Sequence, residues 1–255
     1  MPPIVAMHDV SLKHIGPRLE ALGLDIRIAP FDNAGNFRID GAVVPAREAE
    51  IDYLWLSSHI NPVNTGGEVF EQALACKSVG VLQTFNAGLD NPFYAKLAAK
   101  GVRILNSSAQ GVAIAEYVMG QTLAVLQPIE EQRLMQAAKE WRVTRFREIS
   151  RTHWLIVGFG PIGSAVAARA KAFGAKVSVL RRSDRPAAHT DRVGVLADGP
   201  AFAADADVIV LACPLNDTTR GFAGAAFFDA MKPGAILVNI ARGGVIDDDA
   251  MIAAL

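Results

Sequence analysis

One stretch constrains this chain more than any other. Residues 153 to 180 read HWLIVGFGPIGSAVAARAKAFGAKVSVL. An apolar strand runs into Gly158-x-Gly160-x-x-Gly163, a helix follows, and a second apolar strand comes next. A lone GxGxxG says little, but here it sits between a strand and a helix, the context in which the motif carries meaning. Gly158 allows the tight turn, Gly160 lets backbone approach a pyrophosphate, and Gly163 lets the helix pack closely on the strand. The helix N-terminus then offers unpaired N–H groups and the positive end of its dipole to phosphate. Without a ligand, the same glycines would simply make a tight strand-to-helix turn.

The end of the second strand bears on which dinucleotide fits. A site for NAD(H) places Asp or Glu about 20 residues past the motif, on the ribose 2′-OH. Here the strand runs into Arg181-Arg182-Ser183, and the first carboxylate, Asp184, comes late. A carboxylate about 4 Å from a 2′-phosphate would cost up to a few kcal/mol at an effective dielectric near 20. Arginine reverses the sign and adds charge-assisted hydrogen bonds. The turn favours NADP(H); as an ordinary exposed basic turn it leaves NAD(H) open.

The rest of the chain alternates in the same manner. PIVAM (3–7), DIRIAP (25–30), DYLWLS (52–57), VGVLQTF (79–85) and VRILNS (102–107) read as strands, with helical segments SLKHIGPRLEALG and EVFEQALACKSVG between them. Such alternation implies a parallel sheet with helices on its faces. Residues 109–140 have no strand pattern. They read as a long helix to Gln127, a break at Pro128 and a second helix, a natural connector. Alternation then restarts with HWLIVG, AKVSVL, ADVIVLA and GAILVNIA. The expected division is a first domain over 1–105 and a dinucleotide-binding domain over 106–255 that includes the connecting helix.

Composition narrows the function classes. Lys plus Arg total 25 against 26 Asp plus Glu, a net charge of −1, so charge gives no argument for nucleic acid or an anionic membrane. The basic cluster Lys139, Arg142, Arg145, Arg147 and Arg151 reads as a solvated face. Cys76 and Cys213 are too few and too far apart for a disulfide framework or a CxxC metal site. No apolar run reaches the roughly 18 residues of a membrane span, and the N-terminus lacks the pattern of a signal peptide. The expectation is a soluble, cytoplasmic protein without a metal.

Three blocks carry a family resemblance: AIAEYVMGQTLAVL (113–126), IVGFGPIGSAVAARAKAFGAKV (156–177) and PLNDTTRGFAGAAFFDAMKPGAILVNIARGGVIDDDAMIAAL (214–255). Together they resemble the D-isomer-specific 2-hydroxyacid dehydrogenases. NAGLDN (86–91) is a weaker match, to that family's G-x-G-x-D loop. The resemblance implies an α/β fold with a flavodoxin-like substrate domain, a Rossmann-type cofactor domain and substrate in the cleft between them. It implies reversible hydride transfer between a nicotinamide and C2 of a small 2-oxo or 2-hydroxy acid, as in a glyoxylate or hydroxypyruvate reductase, and a homodimer. It sets the cofactor against Gly158, Gly160, Pro161, Ile162, Gly163, Arg181, Arg182, Ser183, Cys213, Pro214 and Ala241. The substrate carboxylate falls to Ala87, Gly88 and the catalytic Arg242.

Arg242 also reads from the residues alone. An apolar strand, ILVNIA, carries it to the sheet edge where ligands bind in open α/β folds. Gly243 and Gly244 clear space beside it, and a guanidinium can grip a carboxylate bidentately. The family's acid–base pair, a histidine and its glutamate, lies beyond the arginine motif, and none of His8, His14, His59, His153 and His189 matches its position. His153 reads as structural and His59 as an exposed loop residue. DDDAMIAAL opens like a helix without a C-cap, so the chain reads as part of a longer enzyme, with negligible reductase activity expected of residues 1–255 alone. Two other readings stay open: a non-catalytic dinucleotide sensor, and a relative of the formate or phosphite dehydrogenases.

Overall fold

The computed structural model describes residues 1–60 and 68–255. The chain divides into two compact units, Met1–Ala109 and Gln110–Leu255.

In the first unit, β1 (Ile4–His8) leads into α1 (Asp9–Ala21), followed by β2 (Arg27–Phe31), β3 (Asn36–Ile39), β4 (Ala42–Pro45) and β5 (Glu50–Trp55). After these come α2 (Glu68–Ala75), β6 (Ser78–Gln83), α3 (Pro92–Ala99) and β7 (Arg103–Leu105). The strands form one sheet in the order β4-β3-β2-β1-β5-β6-β7. From β2 to β7 the neighbours are parallel. The expectation of a wholly parallel sheet is corrected at the other edge, where β3 and β4 are antiparallel. Their physical cause is the dipeptide Asp40-Gly41. Both residues have positive φ, 51° and 82°, and Ile39 pairs with Ala42 across them. This two-residue turn has the twist that hairpins favour. Phe31, Phe37, Leu54, Leu82 and Leu97 are buried in this unit's core.

The second unit opens with α4 (Gly111–Leu126) and α5 (Ile129–Ala138), bent by 57° at the break before Pro128. The residue before a proline is steered out of helical geometry, and Gln127 sits at φ −106°, ψ 136°. Then come β8 (His153–Val157), α6 (Pro161–Ala172), β9 (Lys176–Leu180), β10 (Arg192–Gly194), α7 (Gly199–Ala203), β11 (Val208–Leu211), α8 (Ala225–Ala230), β12 (Ile236–Asn239) and α9 (Asp248–Ala254). The sheet runs β10-β9-β8-β11-β12, all parallel. Numbered within the unit, that is 3-2-1-4-5, the Rossmann order over its first five positions.

Both faces of this sheet are covered, as a parallel sheet requires. Trp154, Ile156, Val177, Val179, Val208 and Val210 pack on one side with residues of α4 and α6. Leu155, Val157, Leu180, Ile209 and Leu211 pack on the other with Phe202 and Phe227 of α7 and α8. Alternation along each strand thus feeds two cores. Among the described residues no single helix is long and apolar enough to cross a membrane. The basic cluster is exposed, with Arg142 paired to Glu131 and Arg151 to Glu148.

Candidate dinucleotide site

The turn between β8 and α6 explains its own glycines. Gly158 has φ +97°, and a Cβ there would lie 2.6 Å from the Cys213 nitrogen. A Cβ on Gly163 would lie 2.1 Å from the Gly158 carbonyl oxygen. Both positions exclude any side chain. At Gly160, by contrast, a Cβ would meet nothing within 4 Å. The space above Gly160 is open, which suits close approach by a ligand. Gly160 is also the N-cap of α6 and provides no side-chain cap, while Pro161 occupies the first turn. The first N–H groups of α6 are therefore left for an external acceptor.

A cleft of ≈ 360 Å³ opens over this turn. Of the residues singled out from sequence, Gly158, Gly160, Arg181, Arg182, Cys213 and Pro214 line it. Pro161, Ile162, Gly163, Ser183, Ala241 and Arg242 are not on its lining. Phe159, Leu180, Leu196, Asn216, Thr218 and Thr219 line it as well and were not anticipated. The last three belong to a turn that the sequence marks. The Asn216 Oδ1 accepts from the backbone N–H of Thr218 at 3.0 Å and of Thr219 at 3.2 Å, an Asx turn. The Thr219 hydroxyl donates to the Pro214 carbonyl at 2.6 Å. Burial pushes the Cys213 thiol pKa up, which keeps it a neutral wall of the cleft.

Arg181 and Arg182 follow the C-terminal end of β9. The Arg181 backbone N–H donates to the Gly194 carbonyl at 3.0 Å, tying the turn to β10. Neither guanidinium pairs with a carboxylate among the described residues. Among the described residues no Asp or Glu lines the cleft.

Arg242 follows β12 and is exposed. Its Nη1 donates to the Ala241 carbonyl at 2.8 Å, and its own carbonyl accepts from the Asn239 side chain at 3.0 Å. A Cβ on Gly243 would meet nothing within 4 Å, whereas one on Gly244 would press on Arg220 and Leu215 at 3.4 Å.

The NAGLDN loop of the first unit is built from side chains. The Asn86 amide donates to the Tyr94 hydroxyl at 2.9 Å, and that hydroxyl pairs with Thr84 at 2.8 Å. The Asn106 amide donates to the Ala87 carbonyl at 2.8 Å. Asn91 caps α3 through the Phe93 N–H. The backbone N–H groups of Ala87 and Gly88 have no acceptor among the described residues. In the loop after β5, Ser57 is buried against Ser11, and His59 is exposed as expected, with its ring stacked on His14 at 4.3 Å. Asn61 lies outside the described residues. His153 opens β8, and its Nε2 meets the buried Ser178 hydroxyl at 2.7 Å.

The second unit is thus a Rossmann-type sheet with a phosphate turn and a basic strand end. Residues 119–255 match the family model described as D-isomer specific 2-hydroxyacid dehydrogenase, NAD binding domain. The chain belongs to that family. It is 30% identical over 216 residues to hydroxyphenylpyruvate reductase of Plectranthus scutellarioides, covering 81% of this chain and 68% of that one. It is 32% identical over 180 residues to hydroxypyruvate reductase of Thermotoga maritima, covering 69% and 58%. In fold it is similar to a D-isomer specific 2-hydroxyacid dehydrogenase from Xanthobacter autotrophicus Py2, solved with NADPH and MES. There the TM-score is 0.75 at 22% identity, over 100% of this chain and 76% of that one.

Proposed function

We propose that the chain binds NADP(H) in the cleft over Gly158–Gly163 and belongs to an oxidoreductase acting on a small 2-oxo or 2-hydroxy acid. The observation that carries the cofactor reading is the pair of guanidiniums without carboxylate partners at the end of β9, on a cleft lined by no acid. The residues fit the dinucleotide on three counts: open space over Gly160, an uncapped α6 N-terminus, and two cations where a 2′-phosphate would sit. The backbone N–H groups of Ile162 and Gly163 take the pyrophosphate, with Pro161 fixing the first turn and Cys213, Pro214 and Ala241 alongside. Arg181, Arg182 and Ser183 take the 2′-phosphate. The NADPH bound to the Xanthobacter relative supports the same assignment.

When bound, the cofactor supplies or accepts the hydride. The protein's part is to grip the substrate. Arg242 offers a planar guanidinium for the carboxylate or the neighbouring carbonyl oxygen. The N–H groups of Ala87 and Gly88, without an acceptor among the described residues, offer further donors to the carboxylate. The relatives named as hydroxyphenylpyruvate and hydroxypyruvate reductases support a 2-oxo acid as the class of substrate. The strand order 2-1-3-4-5 among the parallel strands of the first unit supports reading residues 1–105 as a flavodoxin-like substrate domain. Titration calorimetry tests the cofactor assignment. NADPH should bind more tightly than NADH, and replacing Arg181 and Arg182 with Ala should remove most of the difference, on the order of 10-fold or more. Equal affinity for the two cofactors in the unmutated chain would refute it.

The same reading includes a homodimer. Trp141 is 95% exposed and Val143 90%, with Leu134 and Phe146 also exposed nearby in sequence. Glu130, Glu131 and Glu140 and Arg133, Arg142 and Arg145 flank them. A segment with apolar residues and both signs of charge suits a two-fold interface, in which the same patch meets its own copy. Trp141→Glu should shift the mass seen by light scattering from dimer to monomer. A monomer before mutation would rule the dimer out.

A further inference from the structure

The two arginines at the end of β9 are not equivalent. The Arg181 guanidinium lies over the face of Phe159, 5.9 Å from the ring centroid. Phe159 is the residue between the first two glycines of the turn. It is half-buried, packed against the core that carries Ile156 and Val179, so the ring is a fixed platform. Arg182 is exposed and has no such seat among the described residues. A long cationic side chain that must be ordered on binding forfeits rotamer freedom, whereas one already seated loses less.

Resting on the reading of this cleft as an NADP(H) site, we propose that Phe159 is a positioning residue for cofactor choice. Its ring holds Arg181 as the principal ligand of the 2′-phosphate, and Arg182 plays the lesser part. The phosphate turn thereby does two jobs: its glycines admit the pyrophosphate, and the residue between them sets up the cation that reads the ribose.

Binding of two half-cofactors isolates the effect. Adenosine 2′,5′-bisphosphate and 5′-AMP differ only in the 2′-phosphate. The dissociation constant of 5′-AMP divided by that of the bisphosphate, measured by calorimetry on the 255-residue chain, is a ratio that reports that phosphate alone. Phe159→Leu should lower the ratio about 2–5-fold, which is ~0.5–1 kcal/mol, the size of an exposed cation–π contact. It should weaken 5′-AMP binding less than it weakens binding of the bisphosphate. Phe159→Tyr keeps the ring face and should keep the ratio. In an Arg181→Ala background Phe159→Leu should add nothing. Arg181→Ala should lower the ratio more than Arg182→Ala, a comparison that leaves position 159 untouched. If the unmutated chain binds the two nucleotides equally, or binds neither, the NADP(H) reading itself fails. If it discriminates, the positioning role is overturned by either of two results. These are an unchanged ratio in Phe159→Leu, including the case where both affinities fall equally, or a larger loss from Arg182→Ala than from Arg181→Ala.

Discussion

The two ends of the parallel sheet in the second unit make an instructive pair. At the N-terminal end, where β8, β9, β11 and β12 begin, a cavity of ≈ 500 Å³ is lined by Ser150, Arg151, Thr152, His153, Lys176, Asp205, Asp207 and Lys232. At the C-terminal end lies the smaller cleft of ≈ 360 Å³. By size and by number of charges the first is the better candidate for a ligand. Its charges, however, are already spoken for. Asp207 accepts the His153 backbone N–H at 2.8 Å and the Lys232 ammonium at 3.1 Å. Asp205 pairs with Arg192 and Arg151 with Glu148. Only Lys176, among the charged lining residues, has no ion partner among the described residues. At the C-terminal end, N–H groups of α6 and two guanidiniums have no carboxylate partner among the described residues, and Arg181 rests only on the Phe159 ring. The lesson is that incomplete pairing, and not cavity size, singles out the end proposed to bind the cofactor. A set of charges that satisfies itself holds strands in place; a set left open needs something else to complete it.

If that contrast is right, the two ends should fail differently when cut. The largest effect is expected at Gly163. A Cβ there has to displace the Gly158 carbonyl from 2.1 Å, and no rotamer relieves a backbone clash. Gly163→Ala should cost on the order of 3 kcal/mol in thermal or urea unfolding and abolish NADPH binding. A variant of unchanged stability and affinity would mean that the turn is not built as described. A smaller effect is expected at the other end. Burial works against the Asp207 carboxylate, but the His153 N–H and the Lys232 ammonium outweigh it and hold the carboxyl below its usual range. Asp207→Ala should lose about 1–2 kcal/mol, the cost of leaving a buried donor unmet. It should leave NADPH affinity unchanged. A loss of cofactor affinity without loss of stability would reverse the assignment of the two ends.

How far the sequence disclosed these features depended on where their cause lies along the chain. The β8–α6–β9 segment was legible because its constraint is local: three glycines at fixed spacing, two of which the backbone enforces. The strands were legible as apolar runs. The β3–β4 hairpin was signalled by Asp40-Gly41 and still missed, because NFRI mixes polar with apolar residues and AVVP runs into a proline. The three-residue β10 carries too little pattern to be read at all. Within the cleft, Arg181 and Arg182 could be read from their place after a strand. Phe159 lies within the motif, but its spacing says nothing of where the ring goes; Leu196 and Asn216 reach the cleft from separate turns that only the assembled sheet brings together.

The smallest expected effect sharpens the comparison through pH. His153 stands at the start of β8 with its ring half-buried and its Nε2 on the Ser178 hydroxyl. Burial lowers its pKa below the ordinary value of 6.5; Asp205 and Asp207 pull the other way, and Lys232 and Lys176 add to the lowering. A depressed folded pKa means that the unfolded chain binds the proton more readily. Stability is then full above pH 6.5 and is lost as pH falls through the folded value. One group contributes at most about 1.4 kcal/mol per pH unit within that window. Asp207 acts in the same direction at lower pH, because its depressed carboxyl protonates there. Melting temperatures between pH 7.5 and 5 should therefore decline, and His153→Gln should flatten the decline just below pH 6.5 while leaving NADPH affinity intact. Ser178 keeps a polar partner in that variant, so loss of its hydrogen bond does not confound the slope. A slope of unchanged size in the variant would take His153 out of the account. A change in NADPH affinity would show that the two ends of the sheet are not independent.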